Sequence, residues 1–250
     1  MIKFFRKEIA RLLRGFARRL EPHAHQMQHG HACTDPFFDC LQRLGFKPEL
    51  IIDIGANRGN WTRTALRYFP DALYILFEPQ GELLKGSDLD LDPKIQIFAM
   101  GVGPKTATMK LSKHTRDDSF SFALSEQEAA DQGREQIEAP VVALDEFLAK
   151  EGLPQPSILK IDAEGWDLEV LKGAESAVSY AEIVLLEAAV LNKFFPNTLL
   201  QVVAEMGKRG FVVFDVTDLN RTARDNALWL VEIAFVKAGG FLDCKVDSYQ

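Results

Sequence analysis

From residue 49 onward, short apolar runs alternate with longer amphipathic stretches. Leu50–Ile54 is a compact apolar run that stops at a glycine, the pattern of a strand buried on both faces of a parallel sheet. Asn60–Phe69 has helical spacing and ends at Pro70. The same reading predicts strands at Leu73–Phe77, Ile95–Ala99, Ser157–Ile161, Glu182–Leu186, Phe211–Phe214 and Leu228–Val236. Helices are expected through Trp166–Gly173 and over Asn197–Lys208. Strands separated by helix-length segments predict an α/β fold, doubly wound about one parallel sheet. The interval 104–143 breaks this rhythm. Thr106–Leu111, Ser119–Leu124 and Pro140–Leu144 read as short strands with polar connections, an inserted β-hairpin beside the sheet.

The first twenty residues follow a different pattern. Ile2, Phe5, Ile9, Leu12, Leu13, Phe16 and Leu20 recur at spacings of three and four, with arginine and lysine between them. This predicts a basic amphipathic helix, which suits peripheral contact with an anionic membrane surface. The same stripe also suits packing on its own domain or on a second copy in a homodimer. The segment 21–33 follows, with His23, His25, His29 and His31 in two His-x-His pairs. Imidazoles at this density bind transition metals, but no carboxylate or cysteine pair completes a zinc spacing, so a polar linker is expected and no metal site is assigned. The chain thus divides into an N-terminal extension, 1–36, and one domain, 37–250.

Composition sharpens that division. The 250 residues are 47% hydrophobic and 26% charged, ordinary globular values. The net charge of −7 splits unevenly: residues 1–20 hold seven basic residues against Glu8, a net +6, which leaves −13 on the other 230. An acidic body excludes a broad nucleic-acid surface. Three cysteines, Cys33, Cys40 and Cys244, give no disulfide framework and point to a reducing, cytoplasmic setting, with the basic segment able to reach the inner membrane surface. No stretch reaches the roughly 18 apolar residues of a membrane span. Charges recurring through residues 3–19 fit a cleavable signal peptide poorly.

The strongest local signal is Asp53-Ile54-Gly55-Ala56-Asn57-Arg58-Gly59, a strand end running into a helix. Gly55 and Gly59 let backbone pass close to a ligand, and Asn57 tolerates left-handed φ. Open α/β sheets bind ligands at this carboxyl edge. Glu78 follows the second strand, where a carboxylate accepts hydrogen bonds from both ribose hydroxyls of a nucleoside. Asp53 at the loop entrance would repel a pyrophosphate but welcome a methionine ammonium. Asn57 also stands where a pyrophosphate-binding loop has its middle glycine. Both features favour S-adenosylmethionine over NAD.

These residues resemble the FkbM family of S-adenosylmethionine-dependent methyltransferases. Asp53–Gly59 looks like its D-[VI]-G-A-N-x-G opening, and Phe77-Glu78-Pro79 like its F-E-P. Leu159–Gly165, running on to Glu169–Ala174, is similar to its K-I-D-x-E-G…E-x-L-x-G-A block. Val142–Asp145 resembles the T-L-D before that block, with Ala143 in place of the threonine. The likeness runs from about 37 to 237 in the expected order. It implies a Rossmann-like seven-strand methyltransferase fold with a final antiparallel hairpin. It further implies methyl transfer, commonly to a hydroxyl oxygen, here on a glycan, glycolipid or small metabolite.

Candidate site residues follow from position. Asp53, Gly55, Ala56, Asn57, Gly59 and Glu78 form the expected cofactor loop, with Met100 and Gly101 beside the adenine. Ser119 is added because Asp117–Ser121 resembles the small-polar segment that approaches the cofactor in this family. Asp162 and Glu164, after the fourth strand, are the candidate base or acceptor anchor. Their alternative is a stabilising role at the following helix N-terminus. Glu187 ends the fifth strand at the same edge, and His114 in the insertion is a further candidate base. An NAD-dependent oxidoreductase would need a tyrosine–lysine pair that is not evident. A cofactor-binding scaffold docked through its N-terminal segment is the reading outside the enzymes.

Overall fold

The computed structural model describes residues 33–113, 120–191 and 197–247. The basic amphipathic segment, the four clustered histidines, His114, Ser119 and Phe194–Pro196 lie outside these residues.

The expected doubly wound sheet is present. It has seven strands: β1 (Leu50–Ile54), β2 (Leu73–Phe77), β3 (Ile95–Phe98), β8 (Ile158–Ile161), β9 (Ile183–Ala189), β10 (Phe211–Arg221) and β11 (Leu228–Lys237). Their order is β10-β11-β9-β8-β1-β2-β3. All neighbours pair in parallel except β11, which runs antiparallel to both β9 and β10. The order reverses between β1 and β8, and that switch opens a crevice at the strands' carboxyl ends.

Two apolar layers explain why the central strands carry no polar alternation. On one face Leu50, Ile52 and Ile54 pack beneath α4 (Leu144–Glu151), α5 (Asp167–Lys172), α6 (Glu175–Tyr180) and α7 (Leu199–Lys208). On the other, Ile51 packs with Phe37, Phe38 and Leu41 of α1 (Thr34–Arg43) and Trp61 and Ala65 of α2 (Asn60–Tyr68). Phe38 sits 5.5 Å from the rings of Trp61, Tyr68 and Phe69, so one side chain stitches α1 to α2. Thr34 is buried and its hydroxyl donates to the carbonyl of Thr217 on β10, which anchors the start of α1 across the sheet edge. Cys33, Cys40 and Cys244 are free thiols, and among the described residues no helix is long and apolar enough to cross a membrane.

The insertion is larger than a hairpin. β5 (Ala107–Lys113) and β7 (Gln136–Val142) do pair antiparallel. They are flanked by β6 (Phe120–Ser121) on one side and β4 (Gly101–Val102) on the other, giving a second, four-stranded sheet. The connection carries α3 (Glu126–Asp131), held by a capping box between Ser125 and Glu128. The strand expected at Pro140–Leu144 begins earlier, at Gln136, and α4 already starts at Leu144. Because β4 follows β3 directly, the small sheet stands over the carboxyl edge of the large one and forms a wall there.

α7 begins with a second capping box, in which the Thr198 hydroxyl accepts from the Gln201 N–H and the Gln201 side chain reaches back to the Thr198 N–H. Thr198→Ala should therefore lower unfolding stability by about 1 kcal/mol. Urea denaturation checks this; an unchanged midpoint would show that tertiary packing alone holds this helix end.

Candidate active site

The cleft at the carboxyl edge spans about 610 Å3, part of it open to solvent. Its floor is Ile54, Gly55 and Asn57 after β1; one side is Phe77–Gln80 after β2, and the other Asp162–Glu164 after β8. Gly101, Val102, Leu111 and Phe122 of the small sheet close it with apolar surface.

The loop after β1 is shaped by backbone contacts. The N–H groups of Gly55 and Ala56 both donate to the Phe77 carbonyl, at 2.9 and 3.1 Å. Gly55, Asn57 and Gly59 adopt φ of +78°, +50° and +73°. The conformation expected of Asn57 is therefore present. A Cβ on Gly55 would fall 1.8 Å from the Asp162 carbonyl oxygen, so the loops after β1 and β8 touch through backbone. Gly101 is flat against the Phe122 ring, 2.5 Å from where its Cβ would stand. That contact keeps an aromatic face beside the cleft.

Glu78 is 5% exposed and lines the cleft. Its Oε2 accepts from the Asn57 N–H and its Oε1 from the Gln80 N–H, each at 2.8 Å. Burial pushes its carboxyl above the ordinary range, while the two amides pull it back. Each oxygen retains a lone pair for a further donor. That is the arrangement a vicinal pair of hydroxyls requires.

Asp53 is placed differently from the expectation. It is 0% exposed, its Oδ2 accepts from the Thr62 hydroxyl at 2.6 Å, and its Oδ1 lies 3.5 Å from the Lys160 ammonium. It does not line the cleft. The reason is strand alternation: Ile52 and Ile54 face one helical layer, so Asp53 faces the other. Ala56 is likewise turned into the core. Gly59 is close-packed against Leu89 and Leu84. Met100 packs on the main core while Gly101 reaches the cleft. Of the candidates among the described residues, Gly55, Asn57, Glu78, Gly101, Asp162 and Glu164 converge on the cleft, and Asp53, Ala56, Gly59 and Met100 stand behind it.

Several groups were not singled out from sequence. Ser121, two positions beyond the expected Ser119, donates to the Glu164 carbonyl at 2.7 Å and so ties the small sheet to the loop after β8. Lys160 lies 3.2 Å from Asp162 Oδ2. Asp167 is fully buried; its Oδ1 accepts from the Ala163 N–H and its Oδ2 from the Asn197 amide at 2.6 Å. Burial, with the nearby Asp162, pushes Asp167 up to about 7. Glu164 has φ of +49°, the left-handed turn that lets the chain leave β8 sharply. Ile161 pairs with Leu186, so Asp162 and Glu187 follow side by side on one face. Burial pushes Glu187 well above the carboxylate range, reinforced by Asp162, Glu164 and Asp167. Among the described residues no group of three or more histidine, cysteine or acidic side chains is arranged to hold a metal ion.

A sheet of this order with a glycine loop after its first strand and a hydroxyl-accepting acid after its second defines the class of nucleoside-cofactor methyltransferase folds. Residues 53–213 match the Methyltransferase FkbM domain, and the chain belongs to the FkbM methyltransferase family. Its cofactor is S-adenosylmethionine. Among solved structures, a methyltransferase FkbM from Methylobacillus flagellatus is 16% identical with a TM-score of 0.48, over 74% of this chain and 43% of that one. This chain thus spans less than half of that protein. A magnesium protoporphyrin IX methyltransferase from Synechocystis with bound S-adenosylmethionine is 9% identical, TM-score 0.48, over 82% and 76% of the two chains. A precorrin-6y C5,15-methyltransferase from Geobacter metallireducens is 14% identical, TM-score 0.44, over 80% and 86%. No curated protein sequence matches the chain.

The cleft fits this cofactor. Glu78 offers two acceptor oxygens at a buried position, Phe122 and Leu111 give an apolar face for a base, and Asp162 supplies negative charge at the opposite end.

Proposed function

We propose that the chain transfers a methyl group to a hydroxyl oxygen of a glycan, glycolipid or small metabolite. The observation that carries this is Asp162 and Glu164 together on the cleft wall across from Glu78. Carboxylates accept hydrogen bonds and donate none, so an acceptor bound there must bring its own donors, as hydroxyls do. When bound, the cofactor supplies an electrophilic methyl on a positively charged sulfur. The protein's part is then mainly alignment, which supplies several kcal/mol of the barrier and up to about 7–11 in ideal cases.

In this reading Glu78 and the Asn57 backbone hold the ribose, Gly55 gives the amino-acid end its close approach, and Gly101 borders the adenine. Glu164 faces the acceptor, and Asp162 stands between it and the cofactor's amino-acid end. Glu187 follows beside Asp162 in the sheet, and burial holds its carboxyl above the ordinary range. A carboxylate of this chain would take the acceptor's hydroxyl proton as the methyl supplied by the bound cofactor is transferred. His114 and Ser119 keep their proposed roles as a further base and a cofactor contact. Residues 1–20 are proposed to give peripheral membrane contact or homodimer contact at the cytoplasmic side, with 1–36 an extension of the domain 37–250.

The test is transfer of labelled methyl from S-adenosylmethionine into lipid, polysaccharide and small-molecule pools. Label in a product stable to mild alkali supports a methyl ether; label released as methanol marks a carboxyl acceptor and overturns the hydroxyl assignment. Glu78→Ala should weaken S-adenosylhomocysteine about 10- to 100-fold by calorimetry, the effect of losing hydrogen bonds to a charged group. Wild-type affinity in that variant removes Glu78 from the ribose site.

A further inference from the structure

Lys160 is a charged residue in the middle of the sheet, 2% exposed and unused by the mechanism above. β8 sets Ile158 and Lys160 on the face opposite to Leu159 and Ile161, and the register places Lys160 beside Asp53 of β1. Closest to its ammonium are Asp53 Oδ1 at 3.5 Å, Asp162 Oδ2 at 3.2 Å and the Trp61 ring at 5.7 Å, with Glu232 acting on it from β11. The two carboxylates differ in kind. Asp53 is sealed off, with its other oxygen taken by Thr62; the Asp162 side chain is 37% exposed and lines the cleft.

A buried lysine needs one counter-charge, and Asp53 supplies it. The second carboxylate therefore calls for another reason. With Asp53 and Trp61 bracing the ammonium, the ammonium holds one oxygen of Asp162. Asp162 would otherwise turn freely at the end of β8, where only its N–H is tied, to the Ile54 carbonyl at 3.0 Å. The three charged groups sum to one negative charge, and it is presented at the cleft.

We propose that Lys160 is a positioning residue for the cofactor's amino-acid end: braced by Asp53 and Trp61, it holds one oxygen of Asp162 so that the other meets the cofactor's ammonium. Asp53 then serves the cofactor's ammonium, the partner expected for it from the sequence, through Lys160 and Asp162 and without contact. The inference rests on the reading of the cleft as the S-adenosylmethionine site.

The experiment compares two ligands by calorimetry on the full chain: S-adenosylhomocysteine, and 5′-methylthioadenosine, which lacks the amino acid. Lys160→Met should weaken S-adenosylhomocysteine by about tenfold or more and leave methylthioadenosine within about twofold. Lys160→Arg keeps the charge and should recover most of the affinity. Lys160→Met alone strands the Asp53 carboxylate and endangers the fold. The double variant Asp53→Asn with Lys160→Met removes both charges, and it should fold and show the same ligand-selective loss. A folded double variant that binds both ligands like wild type, or loses both equally, overturns the proposal. Wild-type protein that binds neither ligand overturns the cofactor reading itself, a separate result.

Discussion

Gly55→Ala should cost S-adenosylhomocysteine about a hundredfold in affinity and lower the melting temperature as well. Two independent penalties meet at this position. The backbone stands at φ of +78°, where a residue with a Cβ carries about 1–2 kcal/mol of strain. The new Cβ would also lie 1.8 Å from the Asp162 carbonyl oxygen and 2.9 Å from its carbon. These are backbone atoms of the neighbouring loop, and no rotamer change moves them aside. The loops after β1 and β8 must separate, which pulls Asp162 away from Glu78 and widens the cleft between them. Forced overpacking of this kind costs about 1–3 kcal/mol more, which with the strain makes about 2–5 kcal/mol, a range that brackets a factor of one hundred.

Two other glycines serve as internal comparisons. Gly59 is also left-handed, but its nearest obstruction is the end of the Leu89 side chain at 2.1 Å. Gly59→Ala should therefore reduce stability while the bound geometry largely survives. Gly152 has φ of +64° with open space around it, so Gly152→Ala carries the strain alone. Calorimetry with S-adenosylhomocysteine and a thermal melt on all three variants give the ranking. Gly55→Ala binding within about threefold of wild type would show that the two loops separate without consequence for the site.

The physical reason for this vulnerability is also what made the site legible. β1 and β2 are mostly buried on both faces, so their sequences are apolar apart from Asp53, and their ends are marked by Gly55 and Glu78. Those markers reach the cleft because they are the first residues past the strands. Inside a strand, alternation decides which face a side chain meets, and chemistry read from sequence gives no such guide. Asp53 is one such case: its position before the loop suggested ligand contact, yet it faces α2 and Thr62. Lys160 is the complement. The strand expected at Ser157–Ile161 runs through it, but its partner lies more than a hundred positions earlier, brought alongside only by the β1–β8 register. The small sheet escaped for a related reason. β4 is two residues long, too short to carry a periodicity, and β7 begins in the polar stretch Gln136–Glu138. Asp167 and Asn197 meet across the crossover between β8 and α7, a contact that no local pattern encodes.

Two buried carboxyls should make the protein lose stability as pH rises from about 4 to about 7. Glu232 sits on β11 among Thr217, Lys160, Asp162 and Asp218; burial pushes it up to about 7, although Lys160 and the Thr217 hydroxyl favour its charged form. Asp167, on the opposite face, is pushed up to about 7 by burial and Asp162. In the unfolded chain both carboxyls titrate near 4. Across that window the native state binds more protons than the unfolded state, so the stability these groups contribute is complete below about pH 4, declines as pH rises, and is gone above about pH 7. Each contributes on the order of 4 kcal/mol over the window. Glu232→Gln isolates one of them. The amide oxygen still accepts from the Thr217 hydroxyl, which lies 2.6 Å from Oε1 in the native protein. The variant should show a shallower pH slope, the remainder coming from Asp167, Glu187 and Glu78, and exceed wild type in stability near pH 8. Asp167→Asn is not its equivalent, because both oxygens accept there, from Ala163 and from Asn197. An amide has one acceptor, so that variant leaves a buried donor unpaired, at about 1–3 kcal/mol at every pH. Urea unfolding of the three proteins at several pH values separates these effects. A wild-type stability that climbs from pH 5 to pH 8 with Glu232→Gln in parallel would mean that Glu232 stays charged beside Lys160 throughout.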